Sequence, residues 1–270
     1  MTNTAFQSFL VRWFQLKKNR ALLTQEQAML KQALSQVFGL YLVQMGRICT
    51  DSILEGNRVR QHLLLDDRLP AHLPGGMQGV EADIDYLPLK KDSVDAVVLP
   101  HTLESVQDPY HLLRQIDQVL IADGHLVITG FNPLGCRVMK QRLTNREAFK
   151  QANLIRAHRL IDWLRLLGYD IEWLHYSSIS CFAKQEHHRL SPWSSQLHQS
   201  KTHRAQSLGN VYCLLAKKSV MAPTPIGIKW RLRDWVGLKQ PKPWVAAPNR
   251  KIHRFYHHKR STAHEHATNK

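Results

Sequence analysis

Apolar residues recur at helical spacing from the start of the chain. Phe6, Phe9, Leu10, Trp13 and Phe14 fall on one side of a helix over residues 4–16. Thr24 to Gln27 has the form of a capping box and predicts a second helix running through Phe38, with Gly39 as its stop. A short apolar run, "LYLVQM", follows at strand length, and from there strand-like and helix-like patterns alternate. "TDSILEGNRVRQ" predicts a helix with an internal glycine, "HLLLDD" a strand ending in two acids, and "GMQGVEAD" a strand after a Pro/Gly loop. "DAVVLP" is apolar throughout and predicts a buried strand. Asp108 and Pro109 supply an N-cap and a first-turn proline for "YHLLRQIDQVLIADG", whose Leu112, Leu113, Ile116, Val119 and Leu120 keep the 3.6-residue period up to Gly124. "HLVITGF", a helix over "RAHRLIDWLRLLG", and the strands "YDIEWLHYSSIS" and "VYCLLAKK" complete the series.

Alternating strands and helices, with strands apolar on both faces, imply an α/β fold: a parallel sheet covered by helices on both sides. The last two strands have no helical pattern between them. Residues 182–209 are polar and serine-rich, so these strands are expected as an antiparallel pair joined by a long loop. The expected organisation is an N-terminal helical cap over residues 1–38, an α/β domain over 39–218 and a tail over 219–270.

Composition sharpens this in three places. The net charge of +16 is concentrated at the C-terminal end, where residues 217–270 hold 13 of the 37 Lys and Arg but only two of the 21 acids. In that tail basic residues interleave with Trp230, Trp235, Phe255 and Tyr256. Phosphate neutralisation combined with base stacking uses this composition, and nucleic acid or another polyanion is the partner class it suggests. The four cysteines, Cys49, Cys136, Cys181 and Cys213, are far apart and read as reduced core thiols, while the 16 histidines show no metal-ligand spacing, so no metal is expected. No apolar run is long enough for a transmembrane helix and the N-terminus lacks the pattern of a secretory signal, so a cytoplasmic location is expected.

In a sheet of this kind ligands bind beyond the carboxyl ends of the strands, beside the first strand. Four stretches stand there: "QMGRICT", "DD" at Asp66 and Asp67, "ADIDYLPL" and "LPHTLE". The segment "ADIDYLPLKKDSVDAVVLPHTLESVQDPYHLLRQIDQVLIADGHLVITGFNP", residues 82–133, closely resembles the class I S-adenosylmethionine-dependent methyltransferases of the methyltransferase type 11 family. The order of LP, DAVV, DP, the helix and the glycine-led strand carries the likeness. The resemblance implies a Rossmann-like fold with a mostly parallel seven-stranded sheet and an antiparallel last strand. It also implies S-adenosylmethionine as cofactor and an unidentified methyl acceptor.

Residue by residue, the resemblance places Gln44 at the acid of the family's ExGxGxG turn and Gly46 at its first glycine, against the methionine and ribose parts. Asp66 would accept from the ribose hydroxyls and Asp83 from the adenine amino group, with Ile84 packed on the ring. Pro100 and His101 would pass the methionine and the methyl, and His101 is the candidate general base. The sequence departs from the family where Gln44 replaces the acid, Ile48 the second glycine and Thr50 the third. A β-branched Ile48 brings bulk to a turn that needs room for a ligand. Two functions follow: a methyltransferase, or a non-catalytic protein of the same fold that binds nucleic acid through its basic tail. A nicotinamide dehydrogenase fits less well, because no GxGxxG offers a pyrophosphate seat.

Overall fold

The computed structural model describes residues 3–144, 147–178 and 208–219. The chain divides into two units, Met1–Ala222 and Pro223–Lys270. All described residues belong to the first, so the expected tail function lies outside the described residues, as does most of the loop expected at 182–209.

Two helices come first, α1 (Asn3–Gln15) and α2 (Lys17–Leu34), followed by β1 (Phe38–Met45), β2 (Arg58–Asp66), β3 (Gln78–Glu81) and β4 (Val94–Pro100). Then come α3 (Pro109–Val119), β5 (Leu120–Phe131), α4 (Cys136–Leu143), α5 (Glu147–Gln151), α6 (Ala157–Leu166), β6 (Tyr169–Tyr176) and β7 (Val211–Lys218). The seven strands form one sheet in the order β3-β2-β1-β4-β5-β7-β6. Strands β1 to β5 pair in parallel, and β7 runs antiparallel to both β5 and β6.

Strand residues alternate between two cores because successive side chains point to opposite faces of a sheet. Leu42, Leu64, Ala96, Val98 and Val127 join Phe6, Leu10, Phe14, Leu30 and Leu34 of α1 and α2 in one core. Val43, Leu65, Val97, Leu99 and Ile128 join Leu112 and Ile116 of α3 and Leu160 and Leu164 of α6 in the other. Both faces are therefore covered, as near-continuous apolar strands require.

Several elements depart from the sequence pattern, among them the end of α2: it stops at Leu34, and Phe38 and Gly39, expected as its last residue and its stop, already belong to β1. Helix α2 starts at Lys17, where Leu16 has extended dihedrals. Thr24 lies inside it and its hydroxyl donates to the Arg20 carbonyl at 3.1 Å, a back-bond within the helix and not a cap. The helix expected over residues 50–61 is absent: Gly56 turns the chain at φ +87°, and β2 begins at Arg58, earlier than its apolar run suggests. Helix α3 opens as expected, with the Asp108 carboxylate accepting from Tyr110 N and His111 N at 3.0 Å each. It ends at Val119 because Leu120 already pairs with Val94 of β4, and strand pairing overrides the continued helical period.

The four cysteines are not all reduced. Cys49 and Cys213 are free, but Cys136 at the head of α4 is disulfide-bonded. Wide spacing in sequence does not bar such a bond, which depends only on where the fold brings two thiols. Among the described residues no helix is long and apolar enough to cross a membrane, and no group of three or more His, Cys, Asp or Glu could hold a metal ion.

Candidate active site

The ends of β1, β2, β3 and β4 lie side by side, so their carboxyl-terminal residues share one rim of the sheet. At the end of β1 the chain turns through Gly46 at φ +78°, a conformation that suits glycine. Space demands it as well: a Cβ there would stand 2.7 Å from Gln7 Nε2 and 3.2 Å from Thr102 Oγ1. Gln44 turns its amide onto the same turn and donates to the Gly46 carbonyl at 2.8 Å. Ile48 does not project into an open cleft. It is fully buried in the core that α1 and α2 share with the sheet, and the bulk that replaces the second glycine is absorbed by packing.

Asp66, at the end of β2, is buried at 1% exposure. Arg47, the residue after Gly46, donates from Nε to Asp66 Oδ2 at 2.9 Å. Burial pushes the Asp66 carboxyl above its ordinary range, and the Arg47 guanidinium opposes that shift. Beyond β3, Asp67, Glu81, Ala82 and Asp83 line an open cleft of about 390 Å³. Asp83 is exposed and accepts from Asp85 N at 2.9 Å, while Ile84 is buried and donates its N–H to Asp67 Oδ1 at 3.3 Å. The Asp85 carboxyl is pushed up by burial and by the charges of Asp83 and Asp67. This cleft favours a ligand that presents hydrogen-bond donors.

The end of β4 leads inward. Pro100 is buried in register with Thr129, and His101 follows at φ +56° with no exposed surface. The His101 ring faces Phe131 at 4.1 Å between centroids. Its Nδ1 lies 2.8 Å from Glu104 Oε2 and its Nε2 lies 3.2 Å from Glu26 Oε1. The remaining donors are also in place, since Thr129 Oγ1 donates to Glu26 Oε1 at 2.6 Å and Phe131 N donates to Glu104 Oε1. Burial alone would lower the pKa of this imidazole, but the two carboxylates outweigh it and raise the pKa to about 10. At neutral pH His101 is thus an imidazolium with both N–H groups donated, and it has no lone pair with which to accept a proton. The arrangement does not suit the general base expected from sequence.

Three buried polar atoms around the Gly46 turn have no hydrogen-bond partner: Gln7 Nε2, Gln44 Oε1 and Asp66 Oδ1. Their residues are 2%, 4% and 1% exposed. Unpaired buried polar atoms are uncommon in folded proteins, and each calls for a reason. The chemistry of this set, one donor and two acceptors beside a glycine turn and an acidic cleft, fits a polar ligand bearing hydroxyl groups.

Comparison with known proteins bears on this geometry. Residues 59–128, from β2 into β5, match the family model described as "Methyltransferase domain". The fold resembles a Thermotoga maritima S-adenosylmethionine-dependent methyltransferase, described as a possible histamine N-methyltransferase, with a TM-score of 0.53 and 16% identity over 79% of this chain and 98% of that one. The chain carries the class I methyltransferase fold. An Archaeoglobus fulgidus S-adenosylmethionine-dependent methyltransferase is similar at a TM-score of 0.50 and 18% identity, over 71% of this chain and 92% of its own. In sequence the chain is 28% identical to the uncharacterized protein YafS of Escherichia coli (strain K12) over 193 residues, covering 70% of this chain and 73% of that protein.

The methyltransferase fold brings together the residues that sequence singled out, Gln44, Gly46, Asp66, Asp83, Ile84, Pro100 and His101, along one rim. Gln7, Glu26 and Arg47 join them unannounced. Two of these left a trace: Gln7 and Glu26 are polar residues within the apolar stripes of α1 and α2, between Phe6 and Leu10 and between Leu22 and Leu30. A charged residue in the buried face of a helix needs a partner inside the fold. Arg47 left none, since an arginine after a turn glycine is unremarkable in sequence.

Proposed function

We propose that the protein is an S-adenosylmethionine-dependent methyltransferase. The observation that carries the reading is the set of unpaired buried atoms at the Gly46 turn, next to an acidic cleft at the ends of β2 and β3. Asp66 and Gln44 would hold the ribose hydroxyls, Asp83 the adenine amino group, and Ile84 the ring face, with Pro100 walling the methyl end. When bound, the cofactor supplies a methyl group on a sulfonium, an electrophile that needs no further activation.

The chain's own residues then have to orient the acceptor and exclude water. His101 serves this as a positioning residue. Its imidazolium ties Glu26 of α2 to Glu104 after β4 and fixes the Phe131 ring, so the wall behind the rim is rigid and dry. No group at this wall is free to accept a proton, which favours an acceptor that reaches the site already deprotonated, such as a neutral amine, over one that needs a resident base.

One observation favours the non-catalytic alternative: Arg47 occupies one oxygen of Asp66, the oxygen pair on which the ribose would depend. The two readings separate in thermal unfolding. As a methyltransferase, the full-length protein melts several degrees higher with S-adenosylmethionine at about a hundred times its Kd, equivalent to about 2.7 kcal/mol, and Asp66→Asn abolishes the shift. An unchanged melting temperature at millimolar cofactor would sink the methyltransferase reading.

A further inference from the structure

We infer that Gln7, on the N-terminal helix α1, is a ligand-binding residue of the cofactor site, and that its amide donates to a carboxylate of the bound ligand. The inference rests on the methyltransferase reading and names a contact which that reading does not require.

The amide orientation of Gln7 is fixed by its neighbours. Its Oε1 accepts from Arg47 N at 3.0 Å, a group that can only donate, so Nε2 must point the other way, onto Gly46. There Nε2 is buried and has no partner. Gln44 is fixed by the same logic: its Nε2 donates to the Gly46 carbonyl, which can only accept, and its Oε1 is left over. Asp66 keeps Oδ1 unpaired because Arg47 takes Oδ2.

The turn therefore offers a ligand two acceptors and one donor. Two acceptors complement a vicinal diol. The single donor complements a group that only accepts, such as a carboxylate oxygen. A nucleoside with a free ribose diol and a carboxylate satisfies all three. A purely structural role for Gln7 would need only Oε1 and would leave the buried Nε2 donor without a reason.

The test uses calorimetry on the full chain with two probes, S-adenosylhomocysteine, which carries the amino-acid end, and 5′-methylthioadenosine, which lacks it. Gln7→Glu keeps the acceptor for Arg47 N and loses the donor. Gln7→Met keeps the length and loses both, and covers the case in which a buried glutamate fails to fold. We expect S-adenosylhomocysteine affinity to fall about tenfold or more in either folded variant while 5′-methylthioadenosine affinity changes less than about twofold. Unchanged S-adenosylhomocysteine binding overturns the inference. An equal loss for both probes also overturns it, since Gln7 would then act on the shape of the turn. If the unmodified protein binds neither probe, the methyltransferase reading itself falls and this inference with it.

Discussion

His101 shows how far a residue's role depends on its neighbours. Its position after β4 matches a place where a base could serve catalysis, yet two glutamates 75 residues and three residues away in sequence claim both ring nitrogens. An imidazole whose pKa is near 6.5 unfolded and about 10 folded carries an extra proton in the native state between those values. Its stabilising contribution is complete below pH 6.5 and is lost as the pH rises toward 10. Denaturant unfolding should accordingly show stability declining from pH 7 to pH 9.5, and His101→Gln should flatten that decline. A decline of the same slope in the variant would contradict a charged His101. Asp66, Asp83 and Gly46 were legible in sequence because strand-end acids and a turn glycine sit at fixed places in a doubly wound sheet. Gln7 was not, since its contact with Gly46 joins residues that only the folded chain brings together.

At the scale of elements, the N-terminal helices do more than cover apolar surface. Helix α2 delivers Glu26 to the buried cluster, and α1 delivers Gln7 to the turn, so both helices are bound to the ends of β1 and β4 by polar contacts as well as by packing. Removing Glu26 leaves the His101 Nε2–H and the Thr129 hydroxyl buried without a partner, while Glu104 still balances the imidazolium charge. Glu26→Leu is predicted to cost about 3 kcal/mol in urea unfolding, although it adds apolar volume to a core. A loss below about 1 kcal/mol would mean that the imidazole gives up its proton when Glu26 is gone. The strands β1, β4 and β7 and the start of α3 were readable from runs and caps. Helix 50–61 and the C-terminal end of α3 were misread for related reasons: Gly56 at positive φ and the Val94–Leu120 pairing are decided by chain geometry and by a distant strand, and local periodicity carries neither.

For the whole molecule, the strand order 3-2-1-4-5-7-6 with β7 reversed sets the ends of β1 to β4 on one rim, and the fold follows from alternation of apolar faces along the chain. The order of motifs over residues 82–133 carried the family likeness, and the match over 59–128 shares β4, α3 and most of β5 with that stretch and adds β2 and β3. What the chain does with that fold turns on whether the Gly46 turn accepts a ligand between Gln7, Gln44 and Asp66 despite having one glycine and an arginine paired with Asp66. Calorimetric titration of the full-length protein with S-adenosylmethionine answers this most directly. Saturable binding in the micromolar range, weakened strongly by Asp83→Ala, is the predicted result. A folded, monodisperse sample that gives no binding heat at any temperature tried would contradict it and leave the acids of this rim as features of structure alone.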